Sequence, residues 1–373
     1  MVERISLVLL AAGALTFGVT VPSSGSTTSV QAALSCAPAS GGGTTVGSIT
    51  SVPSPEAKVD SSSAFTGKRL LNRNMICTSS TGQVKYKLTR SKTTYCNSGT
   101  PPHASKVRLY PKAGVIAEWV SGWTWCNTGG GSQVTYSSSG RARMKASDPL
   151  FGVFVARDRS TTAKVALGFL DVSGRSEKGV IVGPGQEVTA PAGGDPGDVR
   201  TIDLTSGDRE TIDDLQALVP SPKFGRPSAG SSAVLAQIYS RKAIRVGFDA
   251  SRANDPRTSA FVKGYFTELA KLWKLKPEFL TVRGSSASAE LASGRIDVAI
   301  TPAALPTRLD VFPFFGDARR LLWRIGLARD ADWNAALLSY VVATLNTARY
   351  AASYQSIFRT GPPYKPLRPL LFP

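Results

Sequence analysis

The hydrophobic period changes once along the chain, and that change limits what it can fold into. Between Gly67 and Ala190 the apolar residues come in short alternating runs: "QVKYKLT", "KVRLYP", "GVIAEWV", "QVTYSSS", "FGVFVAR", "KVALGFLDV" and "GVIVGPGQEVTAP". Gly, Asn and Ser clusters separate them, which is the pattern of short β-strands joined by tight turns. Beyond Ser232 the runs alternate in kind instead. "AIRVGFDA" reads as a strand, and "SAFVKGYFTELAKLWKLK" sets Phe261, Tyr265, Leu269 and Leu272 on one helical face. "PEFLTV", "SSASAELASG" and "RIDVAITP" then read as strand, short helix and strand. Two further helices are expected after "LLWRIGLAR". Strand–helix–strand–helix–strand implies a parallel sheet with crossover helices.

The expected fold class is therefore multidomain. An N-terminal all-β sandwich or roll over 67–190 precedes a C-terminal α/β parallel-sheet domain over 232–373. Residues 191–231 read as a linker. Within it "DRETIDDLQALV" is a short acidic helix, with Asp208 or Thr211 as its cap, and "PSPKFGRPSAGSS" is the domain boundary. Residues 33–66, rich in Gly, Ser, Thr and Pro, read as a flexible leader. Residues 1–32 read as a signal peptide. A charged start and a short apolar run lead to "VQA", with cleavage near Ala32. Retention as an anchor is the alternative; after cleavage no stable transmembrane span is expected.

All four cysteines, Cys36, Cys77, Cys96 and Cys126, lie in the first third of the chain. An exported chain meets an oxidising compartment, where they would pair as disulfides in one of three connectivities. No CxxC spacing points to zinc. A single histidine, His103 in a loop, leaves no multi-histidine metal site and little room for a hydrolytic triad. No phosphate-cradling glycine loop and no carboxylate pair for sugar hydrolysis stands out. The reading is of a non-enzymatic protein with no cofactor and no metal. Asp195, Asp198, Asp203, Asp208, Asp213 and Asp214 form an acidic stretch read as a solvated face, or one docked on basic surface. Trp119, Trp123 and Trp125, beside Cys126, read as β-core packing rather than a sugar platform.

The formal net charge of +18 attracts anionic partners. The basic residues are scattered, so nucleic acid is not the expected partner. Envelope protein, lipid headgroup or anionic cell-surface polymer fits better.

From Ala243 to about Gly361 the order of elements resembles the periplasmic solute-binding proteins of family 3, the amino-acid receptors of ABC importers. The carriers are "IRVGFDA", "VKGYFTELAKLWKLKPEFLTV" and "ELASGRIDVAITPAALPTRLDVFPFF". The resemblance implies one lobe of a type II binding protein, because "GDARRLLWRIGLAR" follows at once where a second lobe would begin. It also implies a ligand turn at Thr301 and Ala303 and a carboxylate-gripping Arg308; Asp249 should converge with them at the carboxyl ends of the strands, and Asp255, in a loop that lacks the family's acidic and aromatic ligand residues, is the candidate for a ligand amine. Leu305 stands where the family has threonine, and Asp310 is a local acid that could engage Arg308. The resemblance implies weakened or lost binding of a small amino-acid-like ligand. "GKRLLNRNMICTSSTGQVKYKL" and "GFLDVSGRSEKGVIVGPGQEVTAP" are similar to FecR-type periplasmic β domains, which implies a sensing or scaffolding module. Two functions follow: an exported solute-binding or sensing protein, or an envelope scaffold that adheres through its basic surface.

Overall fold

The computed structural model describes residues 36, 43–90, 93–99, 103–128, 133–176, 179–218, 224–230, 232–249, 251, 256–306, 309–317, 322–362 and 364. The signal and its cleavage site lie outside the described residues.

The first strands are β1 (Thr45–Ser51), β2 (Ala57–Val59), β3 (Ser62–Ser63), β4 (Arg69–Leu71), β5 (Met75–Thr78), β6 (Val84–Leu88), β7 (Thr94–Ser98) and β8 (Ser105–Lys112). β9 (Val115–Thr128), β10 (Gln133–Ser138), β11 (Arg143–Val155), β12 (Thr161–Ser173), β13 (Gly179–Val182), β14 (Gln186–Ala190) and β15 (Arg200–Thr201) follow. They join in one 15-stranded hydrogen-bonded network among the described residues. Its main path runs β15-β14-β12-β11-β10-β9-β7-β6-β1-β4, and β8, β5, β2 and β3 branch from β9. The expectation of a sandwich or roll is corrected to a single branched network. β1 also lies inside the stretch read as a flexible leader. Its composition resembles a linker, yet Val46 and Ile49 are buried and it pairs with both β4 and β6.

β9 is the hub, pairing with β7, β8, β10 and β11. It serves them in two halves, β8 and β10 along residues 115–121 and β11 and β7 along residues 122–128, and it does not stay flat between them. Its register on β8 slips near Ser121, and Gly122 follows with φ 78°. A Cβ on Gly122 would lie 1.7 Å from the Ala104 carbonyl oxygen, so only glycine fits. The extra residue reverses which face each side chain meets. Trp119 therefore joins the main β core with Tyr136 and Phe151, whereas Trp123 and Trp125 point into a separate cluster with Ile212 and Leu215. The three tryptophans that look like one cluster in sequence are divided by this bulge. Cys96 and Cys126 face each other across β7 and β9 and are bonded, and Cys36 is bonded to Cys77 on β5. These two disulfides select one of the three connectivities and fit the chemistry of an oxidising compartment.

The remaining elements are α1 (Ser206–Ala217), α2 (Ala233–Arg241), β16 (Ala243–Phe248), α3 (Pro256–Leu272), β17 (Lys276–Thr281), α4 (Ala287–Ala292), β18 (Val298–Thr301), β19 (Asp310–Gly316), β20 (Leu322–Leu327), α5 (Ala331–Leu345) and α6 (Ala348–Phe358). The second sheet has the order β17-β16-β18-β20-β19. β16 pairs in parallel with β17 and β18, but β20 is antiparallel to both β18 and β19. The expected parallel α/β lobe of a type II binding protein is therefore corrected. The sheet is mixed, and strand outweighs helix among the described residues. The cause is the short link from Gly316 to Leu322, of hairpin length, which turns β20 back against β19 and sets it between β18 and β19; a parallel return would need a dozen or more residues. No helix among the described residues is long and apolar enough to cross a membrane.

α3 buries Phe261, Tyr265 and Leu269 against this sheet. The same core takes Phe169 from β12, and Tyr364 packs edge-on against that ring at 5.3 Å. The described residues belong to one compact unit. A single carboxylate also ties two helices together. Asp330 caps α5 by accepting from the Trp333 amide at 3.0 Å, and accepts from Ser232, the cap of α2, at 2.8 Å. Asp330→Ala should lower stability by about 2–3 kcal/mol, roughly twice an ordinary cap, in urea unfolding; a loss under about 0.5 kcal/mol would show the caps act independently of it.

Burial holds the Asp171 carboxyl on β12 above the usual carboxylate range, against the pull of Lys145 and of Arg324 on β20. A carboxyl whose folded pKa exceeds its unfolded one favours folding while protonated, and that contribution falls as pH climbs. Asp171→Asn removes the penalty. Its stability relative to the parent should rise from about pH 3 to pH 6; a flat difference across that range would refute the assignment.

Candidate functional site

The carboxyl ends of β16 and β18 bring three of the expected ligand residues together. Asp249 follows β16, Thr301 ends β18, and parallel pairing sets both ends at one edge. Asp249 is 1% exposed. Its Oδ2 accepts from the Gly284 amide at 2.9 Å and from Thr301 Oγ1 at 3.1 Å. Its Oδ1 accepts from Ser251 Oγ at 2.6 Å, and Thr301 Oγ1 in turn accepts from the Ala303 amide at 3.1 Å. A Cβ on Gly284 would come within 2.7 Å of the Ala303 methyl. The protein's own groups fill this corner and use the polar atoms that a ligand amine would need. Asp255 and Arg308 lie outside the described residues. Asp310 Oδ2 accepts a hydrogen bond from the Asn334 side-chain Nδ2.

A second group of polar residues gathers where α1 meets β9. Thr205 caps the helix and forms a capping box with Asp208: its hydroxyl accepts from the Asp208 amide at 3.1 Å, while Asp208 Oδ2 accepts from the Thr205 amide at 3.0 Å. The cap is thus Thr205, not Asp208 or Thr211. Asp208 Oδ1 accepts from both indoles, Trp123 Nε1 at 2.7 Å and Trp125 Nε1 at 2.9 Å. Lys164 lies 3.9 Å from Asp208, 3.8 Å from Glu187 and over the Trp123 ring, and donates to the Asp203 carbonyl. Arg200 reaches Glu187 at 3.3 Å. Most of these groups line an open pocket of about 540 Å³, with His103 tilted against Phe154 at its wall, the rings 5.3 Å apart. Its charges are spent on one another, so the arrangement is suited to holding α1 on the sheet.

The sequence reads Asp208 as part of a solvated or basic-docking face, or as a helix cap, and does not show its role as acceptor for two indoles. The available signal was the Thr-x-x-Asp spacing from Thr205; the indole partners lie 85 and 83 residues away and leave no local trace. The acidic stretch does in part dock on basic surface, since Asp214 pairs with Lys85 at 2.6 Å.

The third feature is a cleft of about 600 Å³ at the far side of β9, lined by Arg73, Arg90, Tyr110, Lys112, Val115 and Val134 among others, with no acidic side chain in its lining.

No protein-family model matches the sequence, and no curated protein matches it. Among solved structures, a crystal structure of a proposed anti-sigma factor from Parabacteroides distasonis aligns with 44% of this chain and 73% of its own, at 14% identity and a TM-score of 0.27. A second crystal structure of a proposed anti-sigma factor from that organism aligns with 43% and 72%, at the same identity and TM-score. At that level the likeness carries no argument about this chain.

Asp208→Ala would leave two buried indole donors without an acceptor, at roughly 1–3 kcal/mol each. The variant should lose about 2–5 kcal/mol in urea unfolding and change the near-ultraviolet circular dichroism of the tryptophans. An unchanged spectrum would mean that Asp208 does not organise them.

Proposed function

We propose that this is an exported, non-catalytic envelope protein that adheres to anionic cell-surface material through its basic face. The observation that carries the reading is the unequal use of charge in the large sheet. Two of its acids are committed to basic partners: Glu187 to Lys164 and Arg200, and Glu118 to Arg108 at 3.2 Å. Asp208, from α1, is spent on the indoles. The exposed Arg73, Arg90 and Lys112 have no carboxylate partner among the described residues. Together with the net charge of +18, this leaves a positive surface that draws anions from within a Debye length. Two disulfides and the export signal read from the sequence support a place in the cell envelope. The amino-acid-binding reading would need Asp249 to release its present partners, and no observation favours it over adhesion.

The full chain should sediment with isolated envelope fragments at low salt and be released as sodium chloride rises from about 0.05 to 1 M, where the screening length falls to about 3 Å. Retention that does not change with salt would sink the proposal.

A further inference from the structure

The cleft beside β9 is more than one part of a basic surface. Three loops build it, each contributing a cation. Arg73 comes from the β4–β5 turn, Arg90 from the end of β6, and Lys112 from the end of β8 before its turn into β9. All three are exposed. The Arg90 guanidinium lies over the Tyr110 ring, 5.5 Å from its centre. Val115, Ile116 and Val134 form an apolar floor.

The backbone is strained at this place. Arg73 has φ 67° and Tyr110 has φ 42°, both in the left-handed region that bulky side chains resist. Neither strained residue is loose. The Arg73 amide donates to the Leu109 carbonyl at 2.7 Å, and the Leu109 amide donates to the Asn74 carbonyl at 2.9 Å, so the turn is stapled to β8 immediately before Tyr110. Left-handed backbone also occurs at the exposed turn residues Arg141 and Arg159; what sets this place apart is that two such residues, stapled across strands, face one cleft.

We infer that this cleft binds a phosphodiester group of an anionic polymer. This inference rests on the adhesion proposed above and names its site. Two guanidinium forks and one ammonium, with no competing carboxylate in the lining, suit the oxygens of a phosphodiester. The apolar floor and the Tyr110 ring suit the carbon backbone between charges. Polymer fits better than membrane because the large exposed apolar side chains among the described residues are Phe65 and Leu218, and neither lines the cleft. Nothing there would insert beneath lipid headgroups.

The test uses the full chain, soluble poly(glycerol phosphate), inorganic phosphate, and phosphatidylglycerol vesicles, with binding followed by calorimetry and vesicle sedimentation. R73A/R90A/K112A should lose about ten-fold or more in affinity for the polymer. R141A/R157A/R159A removes the same charge from other exposed positions of the large sheet and should lose less than about three-fold. R73K/R90K, which keeps charge but not the fork, should fall between them. Melting temperatures report whether each variant is folded. Equal losses in the two triple variants would overturn the cleft as the site while leaving general adhesion standing. Binding to vesicles but not to polymer would overturn the choice of ligand. No binding to polymer, vesicles or phosphate by the parent chain would overturn both the site and the adhesion.

Discussion

The structure depends on one strand satisfying four neighbours. β9 pairs with β8 and β10 along its first half and with β7 and β11 along its second, and its face reverses between the halves at Gly122, where a side chain would collide with the Ala104 carbonyl. Before the bulge it sends Trp119 into the main core; after it, Trp123 and Trp125 emerge on the other side and need their own cover. α1 provides that cover. Asp208 is the fitting acceptor because a carboxylate can take both indole donors with one oxygen and close the capping box with the other. The bulge, the helix position and the pocket are linked consequences of one backbone constraint.

The two sheets are joined by apolar and polar contacts. Phe169 enters the helical core, and Tyr364 packs so closely on Gly183 that a Cβ there would lie 2.0 Å from its ring. Asp171 faces the positive field of Arg324 across the same joint. The change in hydrophobic period near Ser232 thus marks a change of architecture within one compact unit.

Much of the local structure was legible in sequence. The alternating runs became strands with alternating burial, as in β6 and β8, and the spacing of Phe261, Tyr265 and Leu269 gave the buried face of α3. Long-range choices were not legible. Two parallel pairings suggested a wholly parallel sheet, but the direction of β20 is set by loop length and not by its own residues. β1 was hidden by linker-like composition. The tryptophan spacing gave no hint of a bulge, since the slip depends on pairing with β8. At the expected ligand site, Asp249, Thr301 and Ala303 do converge, but sequence cannot show that Gly284 and Ser251 complete the cluster from within.

The pairing of Trp123 and Trp125 has an optical consequence. Their rings sit edge to face, 5.7 Å apart, both tethered to one carboxylate. Chromophores held this close and at this angle share their electronic excitation, and a shared excitation gives paired bands of opposite sign in polarised absorption. The molecule therefore carries a built-in, label-free reporter of whether α1 is seated, readable in dilute solution and in real time.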